Sequence, residues 1–157
     1  MTDPIPLTLS VNGSSLSLTI DPTAPLLDVL RGSLGITGAR YGCGAELCGA
    51  CLVLVDDVPA YACARAVGSL AGCTITTVEG LGTPDAPHPI QTAMIAVQAG
   101  QCGYCLSGMQ IAAAALLARN PSPSRAEIAA ALDGNLCRCG AHPRILAAVA
   151  RAAEALR

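Results

Sequence analysis

The sequence predicts an α+β chain in two parts, a small sheet domain followed by an all-α bundle of four helices. Three observations carry that prediction. Apolar residues alternate near the start, at Leu7, Leu9 and Val11 and then at Leu16, Leu18 and Ile20, the period of half-buried strands. After Pro89 the apolar residues recur at helical spacing to the end of the chain. Between the two patterns, Leu81 to His88 reads Leu-Gly-Thr-Pro-Asp-Ala-Pro-His, rich in turn formers and without apolar periodicity, as a linker is.

Asn12-Gly13 sits between the first two alternating runs and favours a tight hairpin turn. Thr23, Pro25, Leu26, Leu27, Leu30 and Leu34 predict a short capped helix. Leu52 to Val55 and Thr74 to Val78 read as further strands. The sheet domain is therefore placed at residues 1–80, the linker at 81–88 and the helical domain at 89–157. Pro89 stands at a first helical position, ahead of Ile90, Ala93, Met94 and Val97 on one face. Ser107 to Arg119 is a second, Ala-rich helix. Ser124-Arg125-Ala126-Glu127 matches a capping box, followed by Ile128 and Leu132. Ile145, Val149, Ala152 and Leu156 form the stripe of a last helix opened by His142-Pro143.

Composition narrows the function. The 157 residues divide into two units near the lower limit for a self-sufficient core, so each half needs a staple. Hydrophobic residues make up 52% of the chain, yet Trp and Phe are absent, so the core is built from small pieces. A net charge of -2 and three Tyr supply neither a basic footprint nor a stacking surface for nucleic acid. The longest apolar run, Ile111 to Ala118, falls far short of the roughly 18 residues that span a bilayer. The start, Met1-Thr2-Asp3-Pro4, lacks the pattern of a signal peptide. The expected compartment is the cytoplasm, where many cysteines point to metal or redox chemistry rather than disulfides.

Eight of the nine cysteines fall into two sets. The first is Cys43-x4-Cys48-x2-Cys51 with Cys63 beyond, the plant-type spacing for a [2Fe–2S] cluster. One segment wraps three thiolates around the cluster and a fourth arrives from elsewhere. Gly42, Gly44 and Gly49 allow the wrapping and let peptide N–H groups approach sulfur. Zinc more often shows paired Cys-x2-Cys units, and an odd cysteine count fits disulfides poorly. The second set is Cys102-x2-Cys105 with Cys137-x-Cys139, each pair at a junction between predicted helices. Taken alone, Cys102 and Cys105 also fit a redox pair, although no strand-helix-strand unit surrounds them, and the four together also fit zinc. Cys73 has no partner in either pattern and is expected to be a buried small apolar residue.

These motifs together resemble the small iron–sulfur subunit of the molybdenum hydroxylases, the xanthine oxidase family. The resemblance rests on Gly42-Cys43-Gly44, Cys48-Gly49-Ala50-Cys51, Thr77-Val78-Glu79-Gly80-Leu81, Gln101-Cys102-Gly103-Tyr104-Cys105, Gly108, Asn120-Pro121 and Gly134-Asn135-Leu136-Cys137-Arg138-Cys139-Gly140, spread over nearly the whole chain. It implies a plant-type ferredoxin-like, β-grasp domain and a four-helix bundle, each with a [2Fe–2S] cluster. It also implies a large partner subunit that carries molybdopterin and hydroxylates an aldehyde or an N-heterocycle. Within that frame the cluster of Cys102, Cys105, Cys137 and Cys139 lies next to the pterin, that of Cys43, Cys48, Cys51 and Cys63 lies toward the outgoing acceptor, and Gln101 and Cys139 contact the pterin.

One departure bears on the acceptor. Many members have Cys-Thr-Pro-Gly where this chain has Cys105-Leu106-Ser107-Gly108, which resembles the nicotinate and isoquinoline oxidoreductases and some membrane-linked aldehyde dehydrogenases. The acceptor is accordingly left open between FAD and a cytochrome c, and the resemblance implies a periplasmic or membrane-associated complex in place of a cytoplasmic one if a signal-bearing partner exports it. Two other readings compete: a free-standing two-cluster carrier, which would purify without companions, and a zinc-stabilised interaction module, which would be colourless.

Overall fold

The computed structural model describes residues 2–157; Met1, the first residue of the starting segment, lies outside the described residues. A five-stranded mixed sheet has the order β2-β1-β5-β3-β4. Strands β1 (Ile5–Val11) and β2 (Ser14–Ile20) form the expected hairpin, Val11 opposite Ser14. Asn12 and Gly13 both take positive φ, 50° and 77°, as a two-residue hairpin turn with the twist of the strands requires. A second hairpin joins β3 (Leu52–Val55) to β4 (Val58–Tyr61) through Asp56 and Asp57, also at positive φ. Strand β4 has no counterpart among the strands expected from the sequence, and it contains Pro59, a residue that central strands exclude. It is tolerated because β4 is an edge of the sheet, where one face of the backbone has no ladder to join.

The last strand, β5 (Thr74–Thr76), runs parallel to β1 and antiparallel to β3. It ends two residues short of the expected Val78. The Asn12 side chain takes the Thr77 amide at 2.8 Å, and Val78–Gly80 forms a 3-10 turn. The first helix also differs from expectation. One α-helical turn, α1 (Leu26–Asp28), widens into a π turn at Val29–Ser33, and Pro25 at its start gives no side-chain cap. Thr23 does not cap it; its amide and hydroxyl both bond the Asp21 carboxylate.

Four helices follow: α2 (Pro89–Ala96), α3 (Leu106–Arg119), α4 (Arg125–Leu132) and α5 (His142–Ala155). The capping box at Ser124 and Glu127 is formed. A second one, not anticipated, opens α2: His88 Nδ1 accepts from the Ile90 amide at 3.2 Å and Gln91 Oε1 from the His88 amide at 2.9 Å. Helix α3 is central, packed against α2, α4 and the sheet, and its run of Ala112 to Ala115 is buried all round. Small side chains there let neighbouring backbones come close.

Two apolar cores result. Leu9, Val11, Leu26, Leu30, Val53 and Ile75 fill one, between the sheet and α1. Ile90, Met109, Ile111, Ile128, Ile145 and Val149 fill the other. Strand β3 serves both, since Leu52 and Leu54 belong to the helical core and Val53 to the first, the two-residue alternation of a strand.

Candidate metal centres

Three cysteines of the first set, Cys43, Cys48 and Cys51, lie on an irregular loop between α1 and β3, closed at its base by the Arg40 amide on the Ala50 carbonyl at 3.0 Å. Within the loop, backbone amides turn inward onto sulfur. Cys43 Sγ accepts from Ala45 N at 3.3 Å and Leu47 N at 3.2 Å, and Cys48 Sγ from Cys43 N at 3.3 Å. Gly44 and Gly49 hold positive φ, 67° and 71°, a backbone that side chains resist. Cys51 is buried at the mouth of β3. Cys63 follows β4, and the Ala62 amide on the Cys51 carbonyl at 3.3 Å brings the two cysteines together.

The second set joins two helix junctions, as anticipated: Cys102 and Cys105 precede α3, and Cys137 and Cys139 precede α5. Cys102 and Cys139 have their sulfurs 3.5 Å apart, and Cys105 and Cys137 line the same cavity. Gln101 is beside them, its Nε2 donating to the Cys139 carbonyl at 3.0 Å. Both Gln101 and Cys102 are exposed, so this end of the molecule faces outward.

Electrostatics divides the thiols. Amides of Ala45 and Leu47 hold Cys43 down at about 7, since donors to the thiolate favour it. Burial pushes Cys51 up to about 12 and, with Cys137 alongside, Cys105 up to about 12. The Tyr104 amide, with the Cys139 thiol, lowers Cys102. At Cys137 burial acts upward, but the Ala141 amide, the Cys105 thiol and the Cys139 and Gly140 amides outweigh it and the pKa is lowered.

The two sets abut. A cavity of about 190 Å³ is lined by Gly42, Cys48 and Ala50 from the first loop and by all four cysteines of the second set. Two consecutive carbonyls of the first loop are taken by two consecutive residues before Cys137: Cys48 O by the Leu136 amide at 3.0 Å, and Gly49 O by Asn135 Nδ2 at 3.3 Å. Asn135 is only 3% exposed. A Cβ on Gly108 would lie 1.8 Å from the Gly49 carbonyl oxygen, so α3 also seats directly on this loop. Gly108 and Asn135 both lie in motifs that carry the family resemblance, but nothing in their spacing announces this fastening, which depends on how the helices pack.

Cys73 is not buried as expected. It is partly exposed and lies beside Asp56, whose carboxylate raises the thiol's pKa.

The residues fit [2Fe–2S] clusters. Amides point at sulfur, a Cβ on Gly42 would lie 2.5 Å from Cys48 Sγ, and the buried Ser107 hydroxyl, two residues past Cys105, has no hydrogen-bond partner.

Comparison with known proteins agrees. Residues 9–77 match the family described as 2Fe-2S iron-sulfur cluster binding domain, and residues 77–150 that described as [2Fe-2S] binding domain. The chain is 50% identical over 151 residues to a nicotinate dehydrogenase subunit of Pseudomonas putida, covering 96% of each chain. It is 48% identical over 145 residues to the alpha subunit of isoquinoline 1-oxidoreductase of Brevundimonas diminuta, covering 92% of this chain and 95% of that one. In three dimensions it is similar to quinoline 2-oxidoreductase from Pseudomonas putida 86, with a TM-score of 0.93 at 35% identity over 99% of this chain and 98% of that chain.

Proposed function

The chain belongs to the small iron–sulfur subunits of the molybdenum hydroxylases, the xanthine oxidase family, and from that premise we propose that it relays electrons out of a molybdopterin-binding partner through two [2Fe–2S] clusters. It is one component of an oxidoreductase and not itself the catalytic one. The observation that carries the relay is the shared cavity: Cys48 of the first set and all four cysteines of the second line the same space.

In this reading Cys43, Cys48, Cys51 and Cys63 hold one cluster, and Cys102, Cys105, Cys137 and Cys139 hold the other. Each cluster, when bound, supplies one-electron chemistry. The loop amides of Ala45 and Leu47 on Cys43 offset negative charge at that sulfur and favour the reduced form. Buried Asn135 and the Leu136 amide hold the two ligand loops in register. Gln101 and Cys139, joined at the exposed end, face the pterin of the large subunit, and the first set faces the acceptor, FAD or a cytochrome c. The names of the relatives at 50% and 48% identity favour an N-heterocycle over an aldehyde as the partner's substrate. The ferredoxin-like domain takes residues 1–80 and a four-helix bundle residues 89–157, with 81–88 between them. Among the described residues, no helix is long and apolar enough to cross a membrane.

Purification from the native source tests the proposal. The chain should come with a molybdenum-containing companion and with about four iron and four acid-labile sulfides per copy. A colourless, zinc-containing protein would overturn it, and a red-brown protein without companions would make the chain a free carrier. Gln101→Ala should lower the molybdopterin content of the complex while leaving its iron unchanged; equal retention of both would remove Gln101 from the pterin site.

A further inference from the structure

Two side chains cross between the cysteine loops on their outer edge, and neither belongs to a ligand. Arg40, three residues before Cys43, donates from Nη1 to the Gly103 carbonyl at 3.1 Å. Tyr104, between Cys102 and Cys105, donates from its hydroxyl to the Tyr41 carbonyl at 2.5 Å. The Arg40 guanidinium lies 5.2 Å from the centroid of the Tyr104 ring, within range of a cation–π contact. Each loop thus grips the other's backbone, and the two gripping groups hold one another.

This arrangement is not explained by core packing. Tyr104 is 49% exposed, and side chains with that much solvent contact ordinarily contribute little to stability. The inner edge of the junction already has its own fastening in Asn135 and Leu136. That contact ties the Cys43–Cys51 loop to the segment before Cys137 and makes no bond to the Cys102–Cys105 loop. The Arg40 and Tyr104 bonds, from opposite sides, join those two loops at the outer edge. One of them is a bond from a charged donor, the stronger kind. Tyr104 also lines the cavity shared by the two cysteine sets, so separation of the two loops there would widen that cavity directly.

We infer that Arg40 and Tyr104 are positioning residues, a clasp that holds the Cys43–Cys51 loop and the Cys102–Cys105 loop at a set separation and thereby sets the coupling between the two metal centres. The inference rests on the two-cluster reading. It assigns a role to two side chains that hold no metal, and it concerns the spacing of the centres rather than their assembly.

The test uses the complete, cluster-loaded complex. Tyr104→Phe keeps the ring and removes only the donor; Arg40→Ala removes the cation. Both variants should retain full iron content and both electron paramagnetic resonance signals, with a smaller dipolar splitting between the two reduced clusters. Arg40→Lys, which can still donate to the Gly103 carbonyl, should recover most of the splitting. Amide exchange at Gly42 and Cys43 should rise about fivefold in Tyr104→Phe, the population change that loss of one hydrogen bond of ordinary net strength produces. Unchanged splitting and exchange, with both signals present, would overturn the clasp and leave two clusters standing. Loss of one cluster in either variant would also overturn it, by assigning the pair to assembly. A single signal in the unmutated complex would instead overturn the two-cluster reading itself.

Discussion

Three of the four cysteines in the first set are wrapped by one stretch of chain, whereas the second set is assembled as two pairs from two helix junctions separated by more than thirty residues of sequence. In the first, Cys43, Cys48 and Cys51 share a loop whose own amides point at the sulfurs of Cys43 and Cys48. In the second, Cys102 and Cys105 meet Cys137 and Cys139 only because α3, α4 and α5 pack as they do. A local site is defined by turn chemistry and survives in a loosely packed chain. A distributed site is defined by the core, and it inherits every defect of the core.

The largest expected effect separates the two sites outright. Cys105→Ser should remove the second cluster, about half of the iron, and leave a plant-type signal in the spectrum of the reduced protein. Disappearance of both signals together would show that the sites are not independent and would break the contrast. Gly108→Ala comes next. Its methyl group would be driven into the Gly49 carbonyl, and overpacking of this kind costs about 1–3 kcal/mol. Urea unfolding should show a lower midpoint at unchanged slope, while Gly32→Ala, which meets nothing within 4 Å and stands in a helical turn, should unfold at the parent's midpoint or above it. Equal midpoints in the two variants would mean that helix and loop do not depend on each other.

The smallest effect lies within single thiols. In the cluster-free chain, iodoacetamide labelling of Cys43 should climb as the pH passes about 7, because the thiolate is the reactive form. Cys51 and Cys105, both pushed up to about 12, should stay largely unlabelled at pH 8. Peptide mapping by mass spectrometry reads all three at once. Uniform labelling would show that the loop amides do not single out Cys43.

The same contrast governs what could be read from sequence. Local signals were legible: Asn12-Gly13 makes its hairpin, the Ser124 and Glu127 box opens α4, and the spacing of Cys43, Cys48 and Cys51 carries its own meaning. Where two local signals competed, the reading failed. Pro59 stands in an edge strand that the Asp56-Asp57 turn creates, and Asp21 claimed the Thr23 hydroxyl that would have capped α1. Cys73 looked like core because it has no partner in sequence, but its surroundings are Asp56 and solvent. For the second set, spacing alone left zinc and a redox pair open, since what brings Cys102 to Cys139 is packing. Asn135 and Tyr104 lie in motifs of the family resemblance, but the contacts they and Arg40 make are announced by no spacing in the chain; their partners are carbonyl groups, which every residue has.

The alternation along β3 has a consequence for how the protein is made. Leu52 and Leu54 belong to a core whose central helix begins only at Leu106. As the chain leaves the ribosome, the sheet has all its strands once Thr76 has emerged, yet one of its faces has nothing to cover it until the helices follow. Domains generally fold as they are synthesised, and bare apolar surface on a partly made chain invites aggregation. The nascent protein therefore passes through a vulnerable interval in which its first half is folded on one side and sticky on the other, and slow translation between Thr76 and Arg119 would lengthen it.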